Sequence, residues 1–214
     1  AFTADELARL FAVSGRHRLA YQTLLYTGRH KSEVRALVWG DLHLDEAKPY
    51  ALFREDTMKD DAKRAVPLRK ELAEQLRELR PAKVDPTQQV FWWRFPTYDL
   101  LRSHLNKAGI ARKDGLGRVV HFHSFRKTLQ SLGVTCGINQ RAAQEILGHS
   151  DANLTAQAYT DVPSLQLHDE IAKLPWISSD GNVAQHSAQN SGVSGPVVSL
   201  WACPDSSDSE SGMI

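Results

Sequence analysis

Three stretches gather the chemistry-bearing residues of this sequence between Arg118 and Thr160. They are His121-Phe122-His123-Ser124-Phe125-Arg126, Leu147-Gly148-His149-Ser150 and Ala158-Tyr159-Thr160. Three chemistries compete for them. Two histidines at i and i+2 with a third downstream could ligate zinc, but no carboxylate or cysteine lies at ligand spacing. Ser124 as a nucleophile lacks the strand–turn–helix setting of an elbow motif. The third chemistry is phosphoryl transfer. His123 and Arg126, three apart, share one side of a helix start, where the positive dipole end and side-chain donors hold a phosphate. Tyr159 then follows as a nucleophile. Taken singly, each piece also has a plainer role: a His before a helix hydrogen-bonds its N-terminus, Gly-His ends a helix, and a late Tyr packs.

Helices must position these residues, and the sequence supplies their signals. Thr3 with Glu6 makes a capping box, and Leu7, Leu10 and Phe11 share the face behind it. A second helix is expected from about Arg16 to Thr27, stopping at Gly28. A third begins near Ser32 and carries Val34, Leu37 and Val38 inward. Leu72, Leu76 and Leu79 repeat at helical spacing between Pro67 and Pro81, and Pro96 opens a helix through Leu101 and Leu105 to Gly109. Between the third and fourth helices the period falls to two. Tyr50 to Arg54 and Arg64 to Leu68 read as strands joined by a polar turn, with Trp39 to Leu44 completing a sheet. After Gly115 and Gly117 the pattern is helical again, from Ser124 to about Ala172. The expected fold is α+β, mainly α-helical, with a small three-stranded antiparallel sheet on one flank.

Composition bounds the reading. Hydrophobic residues make up 42% and charged residues 24%, which excludes a wholly disordered chain and a collagen-like or coiled-coil rod. The longest apolar runs are four residues, such as Val90-Phe91-Trp92-Trp93, against the ~20 of a membrane helix. The first residues show no signal-peptide pattern. Cys136 and Cys203 are too few for a disulfide scaffold or a cysteine metal cluster, so a reduced, intracellular chain is expected. Residues 178–214 hold ten Ser, four Gly and four acids, with no Lys or Arg. Such a segment cannot offset its ordering entropy by burial, and it is expected to be a dispensable tail behind a single domain of residues 1–177. That domain keeps 26 basic against 21 acidic residues, a balance that permits a nucleic-acid partner without requiring one.

The order His123-x-x-Arg126, Leu147-Gly148-His149, then Tyr159 ten residues later resembles the C-terminal signature of the tyrosine recombinase (phage integrase) family. Leu147-Gly148-His149-Ser150-Asp151, Leu154-Thr155 and Ala158-Tyr159-Thr160 are similar to its LGHS…T…YT pattern. Tyr26-Thr27-Gly28-Arg29-His30-Lys31-Ser32-Glu33-Val34-Arg35-Ala36-Leu37 resembles its TG-L-R-x-S-E box. Thr57-Met58-Lys59 with Arg64-Ala65-Val66-Pro67-Leu68 is similar to the sheet segment carrying its catalytic Lys. The likeness covers roughly Thr3 to Trp176.

The resemblance implies strand exchange on double-stranded DNA with no metal and no cofactor. Tyr159 would attack the scissile phosphodiester to give a 3′-phosphotyrosyl link. His123 would assist its deprotonation, Lys59 would protonate the leaving 5′-oxygen, Arg126 would grip the non-bridging oxygens, and His149 would bind the phosphate or orient Tyr159. Glu33 would buttress the first basic position. The family also implies self-association as a tetramer on DNA, no membrane, and a cytoplasmic location associated with the bacterial nucleoid. Leu165, Leu167, Ile171 and Leu174 are expected to form a helix that docks on a neighbour or packs at home.

Two departures qualify this. Aligned without gaps, the family's first catalytic Arg is His30 here, and its apolar neighbour is Arg29. An imidazole offers fewer donors than a guanidinium and is largely neutral at pH 7. Losing one preorganised donor costs about 10² to 10³ in rate. Either His30 itself serves the first position, or Arg29 swings into it after a one-residue shift of the turn, with Lys31 a poorer substitute. The second departure is that an N-terminal helical domain closing a DNA clamp is expected to be absent. An active strand transferase and an impaired relative that only binds DNA therefore stand side by side.

Overall fold

A helix buried on all sides organises the chain. Residues Ala20 to Thr27 of α2 (Arg18–Thr27) are all buried. Helices α1 (Ala4–Val13), α3 (Lys31–Ala36), α4 (Lys70–Leu79) and α6 (His123–Thr135) pack around it. The computed structural model describes residues 1–54, 63–113, 117, 119–147, 167–178 and 183–184. The polar groups of α2 find partners inside. Thr23 and Thr27 hydroxyls donate to the carbonyls four residues back, and the Tyr21 hydroxyl lies 3.0 Å from His104 Nδ1. Such pairing is what makes buried polar groups tolerable.

The expected capping box of α1 is present, with Thr3 Oγ1 accepting from Glu6 N and Glu6 Oε2 from Thr3 N. Ahead of it, Phe2 N donates to Thr128 Oγ1 at 2.7 Å, which ties this segment to α6. The second helix begins two residues later than its pattern suggests, because Gly15–His17 form a 3₁₀ turn. The sheet is β1 (Leu42–His43), β2 (Tyr50–Arg54) and β3 (Lys63–Pro67), antiparallel in that order, with Ala51 opposite Val66 and Phe53 opposite Arg64. Alternate residues Ala51, Phe53 and Val66 are buried, as period two requires of a sheet with one covered face. Trp39–Asp41 of the expected first strand is instead a 3₁₀ turn. Helix α5 (Tyr98–Lys107), capped by Thr97, buries Leu101 and Leu105.

The single helical run expected from Ser124 to Ala172 is broken. Helix α6 ends where Gly137 adopts a left-handed φ of 65°, and Asn139 Oδ1 then accepts from Arg141 N and Ala142 N to start α7 (Gln140–Leu147). A left-handed Gly followed by an Asn cap stops one helix and starts another. Helix α8 (Leu167–Ala172) packs on its own chain. Arg69 Nη1 donates to Ala172 O, and His168 Nε2 donates to Pro49 O. Ile171, Leu174, Trp176 and Ile177 are buried, and Trp176 stacks on Tyr26 at 4.9 Å. The Tyr26 hydroxyl donates to Pro175 O and accepts from Ile177 N. Of the residues offered either for docking or for home packing, Ile171 and Leu174 thus pack at home, and Leu165 lies outside the described residues. The segment from residue 178 also contains a strand. Val183–Ala184 (β5) pairs antiparallel with Trp176–Ile177 (β4), so pairing reaches past the boundary that composition suggests.

Gly28 ends α2 with φ 62°, and a Cβ there would lie 2.6 Å from both Leu129 Cδ2 and Leu147 Cδ2. Gly28→Ala therefore combines a left-handed strain with a clash against two helices. Urea denaturation is expected to show a loss of about 1–3 kcal/mol, whereas Gly117→Ala, with a similar φ but open space, should cost the backbone term alone.

Candidate active site

Two helix starts and two helix ends meet around one guanidinium. Arg126, in the first turn of α6, is buried, and its Nη1 donates to Gly28 O at the end of α2 and to Leu147 O at the end of α7, at 2.6 Å each. Burial lowers this guanidinium from its usual value, and the Glu33 carboxylate works in the opposite direction. The same helix start carries His123, exposed to solvent, and His30 is the residue immediately before α3. The two rings lie 6.0 Å apart and within 11° of parallel. The ring of His121 also lies 6.0 Å from that of His123, at 17°. His123 is held below the ordinary imidazole value by its partial burial, then by Lys127, His30, His121 and Arg126. The centre is thus electropositive, with a neutral imidazole favoured at its middle.

The first turn of α6 is fixed by local bonds. Ser124 Oγ accepts from His121 N, and His121 Nδ1 accepts from His123 N at 3.2 Å. Phe122, between them, is buried against Tyr98 and Phe95. On the α3 side, Glu33 Oε2 accepts from His30 N at 2.5 Å, which holds the turn that presents the His30 side chain. Glu33 thereby ties the backbone of His30 to α3.

Arg29 takes a different direction from His30. It is 4% exposed, donates through Nη2 to Ile146 O, lies 3.6 Å from Glu33 Oε1 and sits over the Phe53 ring. The residue standing where the resemblance expects an apolar side chain is therefore buried as one, its charge met by Glu33. Lys31 is drawn away as well, its Nζ 3.9 Å from the centre of the Tyr98 ring. Burial and then Arg35 lower its pKa. Neither cation replaces His30 at the centre.

The structure brings His30, His123 and Arg126 together. Lys59, His149 and Tyr159 lie outside the described residues. The elements next to them in sequence do reach the site. Lys59 falls between β2 and β3, whose Phe53 underlies Arg29 and whose Arg64 pairs with Glu145 of α7 at 3.8 Å. Gly148-His149 comes directly after Leu147, whose carbonyl holds Arg126. No group of three or more His, Cys, Asp or Glu among the described residues could hold a metal ion. Motif reading left out the backbone roles of Gly28 and Leu147 and the place of His121 beside His123. The His-x-His spacing was the signal for the last of these.

The helical domain with a three-stranded sheet on its flank is similar in fold to solved site-specific recombinases and integrases. It overlays the integrase of mycobacterium phage Brujita with a TM-score of 0.57, at 18% identity over 80% of this chain and 56% of that one. The XerA recombinase gives 0.55, at 23% identity over 77% and 62%. The lambda integrase catalytic core gives 0.50, at 20% identity over 70% of this chain and 91% of that core. The sequence matches the phage integrase family over residues 1–164, and the chain belongs to that family. Tyrosine recombinase XerD of Listeria monocytogenes serotype 4b is 30% identical over 171 residues, 70% of this chain and 52% of the relative. The Listeria innocua XerD is 29% identical over 174 residues, 72% and 52%. The chain spans about half the length of these relatives.

The Arg29–Glu33 pair makes a stability prediction. Glu33→Gln leaves a buried guanidinium without its countercharge, and Arg29→Leu leaves the buried Glu33 carboxylate without its own; each alone is expected to cost about 3–5 kcal/mol, whereas replacing both residues together should be much nearer neutral. Chemical denaturation of the two single variants and the double variant beside the parent checks the contrast.

Proposed function

We propose that this chain is the catalytic domain of a site-specific DNA recombinase, which cleaves and rejoins DNA strands through Tyr159. The observation that carries this is the convergence of His30, His123 and Arg126 on one electropositive centre, in a chain whose next element runs from Leu147 into Gly148-His149.

A tyrosine hydroxyl titrates near 10, so about one in a thousand is ionised at pH 7. The site must take its proton and neutralise the charge that grows on phosphorus. In the cleavage step the Tyr159 oxygen bonds to phosphorus as its proton passes to His123. The bond from phosphorus to the 5′-oxygen breaks, and Lys59 delivers a proton to that oxygen. A 3′-phosphotyrosyl link and a 5′-hydroxyl result. Rejoining is the reverse attack by a 5′-hydroxyl, and the bond energy kept in the covalent link removes any need for ATP. Arg126 offers its planar fork to the non-bridging oxygens, and the start of α6 adds its dipole. His149 supplies a further donor and His30 the first phosphate contact. His123 suits the base role because its surroundings keep it neutral.

The partner under this reading is double-stranded DNA, engaged by a tetramer of this protein in the bacterial cytoplasm at the nucleoid. No described helix is long and apolar enough to cross a membrane. Residues 1–177 would carry the chemistry, with the segment from residue 178 an accessory to it. A second reading, an impaired relative that binds DNA without efficient cleavage, is favoured by one observation. Arg29 is committed to Ile146 O and Glu33, so the first phosphate position is left to an imidazole.

Covalent trapping separates the two. On nicked random-site duplexes in excess EDTA, an SDS-resistant adduct is expected in the parent and not in Tyr159→Phe. His30→Arg should raise its rate by about 10²-fold or more. An adduct that persists in Tyr159→Phe overturns the assignment of the nucleophile. An adduct confined to His30→Arg establishes the impaired reading.

A further inference from the structure

The apolar run Val90-Phe91-Trp92-Trp93 splits at its middle. Val90 and Phe91 are buried, whereas Trp92 is 62% exposed and Trp93 43%. The turn that holds the two indoles out is braced. Val90 N donates to Leu37 O, and Phe91 O accepts from both Arg94 N and Phe95 N. Arg16 Nε donates to His17 Nε2. An accepting Nε2 leaves the ring proton on Nδ1, which donates to Arg94 O at 2.6 Å. Two large rings presented to water on a pinned turn mark an interaction surface rather than scattered exposure.

The chemistry of that surface is specific. Two guanidiniums lie over Trp93, Arg94 at 4.3 Å and Arg16 at 5.3 Å from the ring centre. The ion pairs of the described residues engage neither. Trp92 meets Trp93 edge-on, at 6.2 Å and 72°. The more exposed indole thus stands beside two cations that have no countercharge there. Single-stranded nucleic acids are held this way, with bases stacked on aromatic faces and phosphates met by cations. A duplex keeps its base faces inside the stack and offers edges and phosphates, so a flat indole favours an unpaired base.

We propose that the Trp92–Trp93 turn is a seat for an unpaired nucleotide of DNA, its base stacked on the Trp92 indole and its phosphate held by Arg16 and Arg94. The proposal deepens the strand-transfer reading and rests on it for the source of such bases, because a strand that is cut and joined to a new partner must leave its complement. The turn also adjoins the candidate centre. The ring of Phe95, next to Arg94, lies 6.0 Å from that of Phe122 in the stretch that carries His121 and His123.

The test is fluorescence anisotropy with the 214-residue chain and four labelled probes. They are an oligothymidine of about twelve nucleotides, an abasic strand with the same phosphates, a duplex of equal length and a poly-glutamate peptide. Trp92→Ala is expected to weaken oligothymidine binding about tenfold, and Trp92→Phe, which keeps a ring face, to stay within about threefold of the parent. The abasic strand and the duplex should ignore Trp92→Ala to within about twofold, since neither offers a free base face. Replacing Arg16 and Arg94 together by Gln should lower the salt dependence of oligothymidine binding by about 1.4 in log–log slope. An oligothymidine affinity that ignores Trp92→Ala overturns the seat, as does an abasic strand bound as tightly as oligothymidine. Poly-glutamate that binds as well and loses as much in Trp92→Ala overturns it in favour of an acidic protein partner. Self-association lost in Trp92→Ala, with oligothymidine affinity unmoved, overturns it in favour of a second copy of the chain. None of these measurements needs cleavage. The Trp92 effect in a chain that forms no covalent adduct strikes strand transfer and keeps the seat, and an adduct without the Trp92 effect does the reverse.

Discussion

The guanidinium of Arg126 is the constraint on which the site depends. A buried cation must have its hydrogen bonds met, and here two of the partners are backbone carbonyls at the ends of different helices, Gly28 O and Leu147 O. A charged donor shared by two helix ends pins both, because losing either acceptor leaves part of the charge unsatisfied. The residues proposed for the chemistry follow each carbonyl closely in sequence. Two residues past Gly28 is His30, and two residues past Leu147 is His149. Three residues before Arg126, on the same turn of α6, is His123. His30 and Arg126, 96 positions apart in sequence, thus refer to one common point.

That geometry also separates the directions of Arg29 and His30. The backbone after Gly28 has one inward and one outward direction to offer, with φ 62° at the glycine setting the turn. Position 29 turns in, and its Arg is 4% exposed behind Glu33. Position 30 turns out, beside His123. An Arg at position 29 therefore cannot substitute for one at position 30 without dragging a charge out of the core and reversing the turn. Glu33 serves both, holding the His30 N–H and balancing Arg29.

Much of this was legible in the residues. The α1 capping box, the stop at Gly28, the leucines of α4 and the period-two hairpin obey local rules, and each appears where those rules place it. Two kinds of feature escaped local reading. The break between α6 and α7 is written as Gly137 and Asn139, but the apolar pattern on either side masked it. The direction of Arg29 and the approach of the His30 ring to His123 are tertiary facts. They depend on Phe53, Ile146 and Leu147 arriving from other elements, and no pattern within residues 26–37 or 121–126 encodes them. The extent of pairing beyond residue 177 likewise rests on a contact between strands that composition does not report.

The central claim, that this centre serves a tyrosine nucleophile beside His123 and Arg126, is tested most directly by locating the bond. Nuclease trimming and tandem mass spectrometry of the trapped adduct's peptides read which side chain carries the nucleotide. The predicted result is a single phosphodiester-linked nucleotide on Tyr159. A nucleotide on Tyr98, the exposed tyrosine beside Phe122 and Lys31, or on any serine, would contradict it.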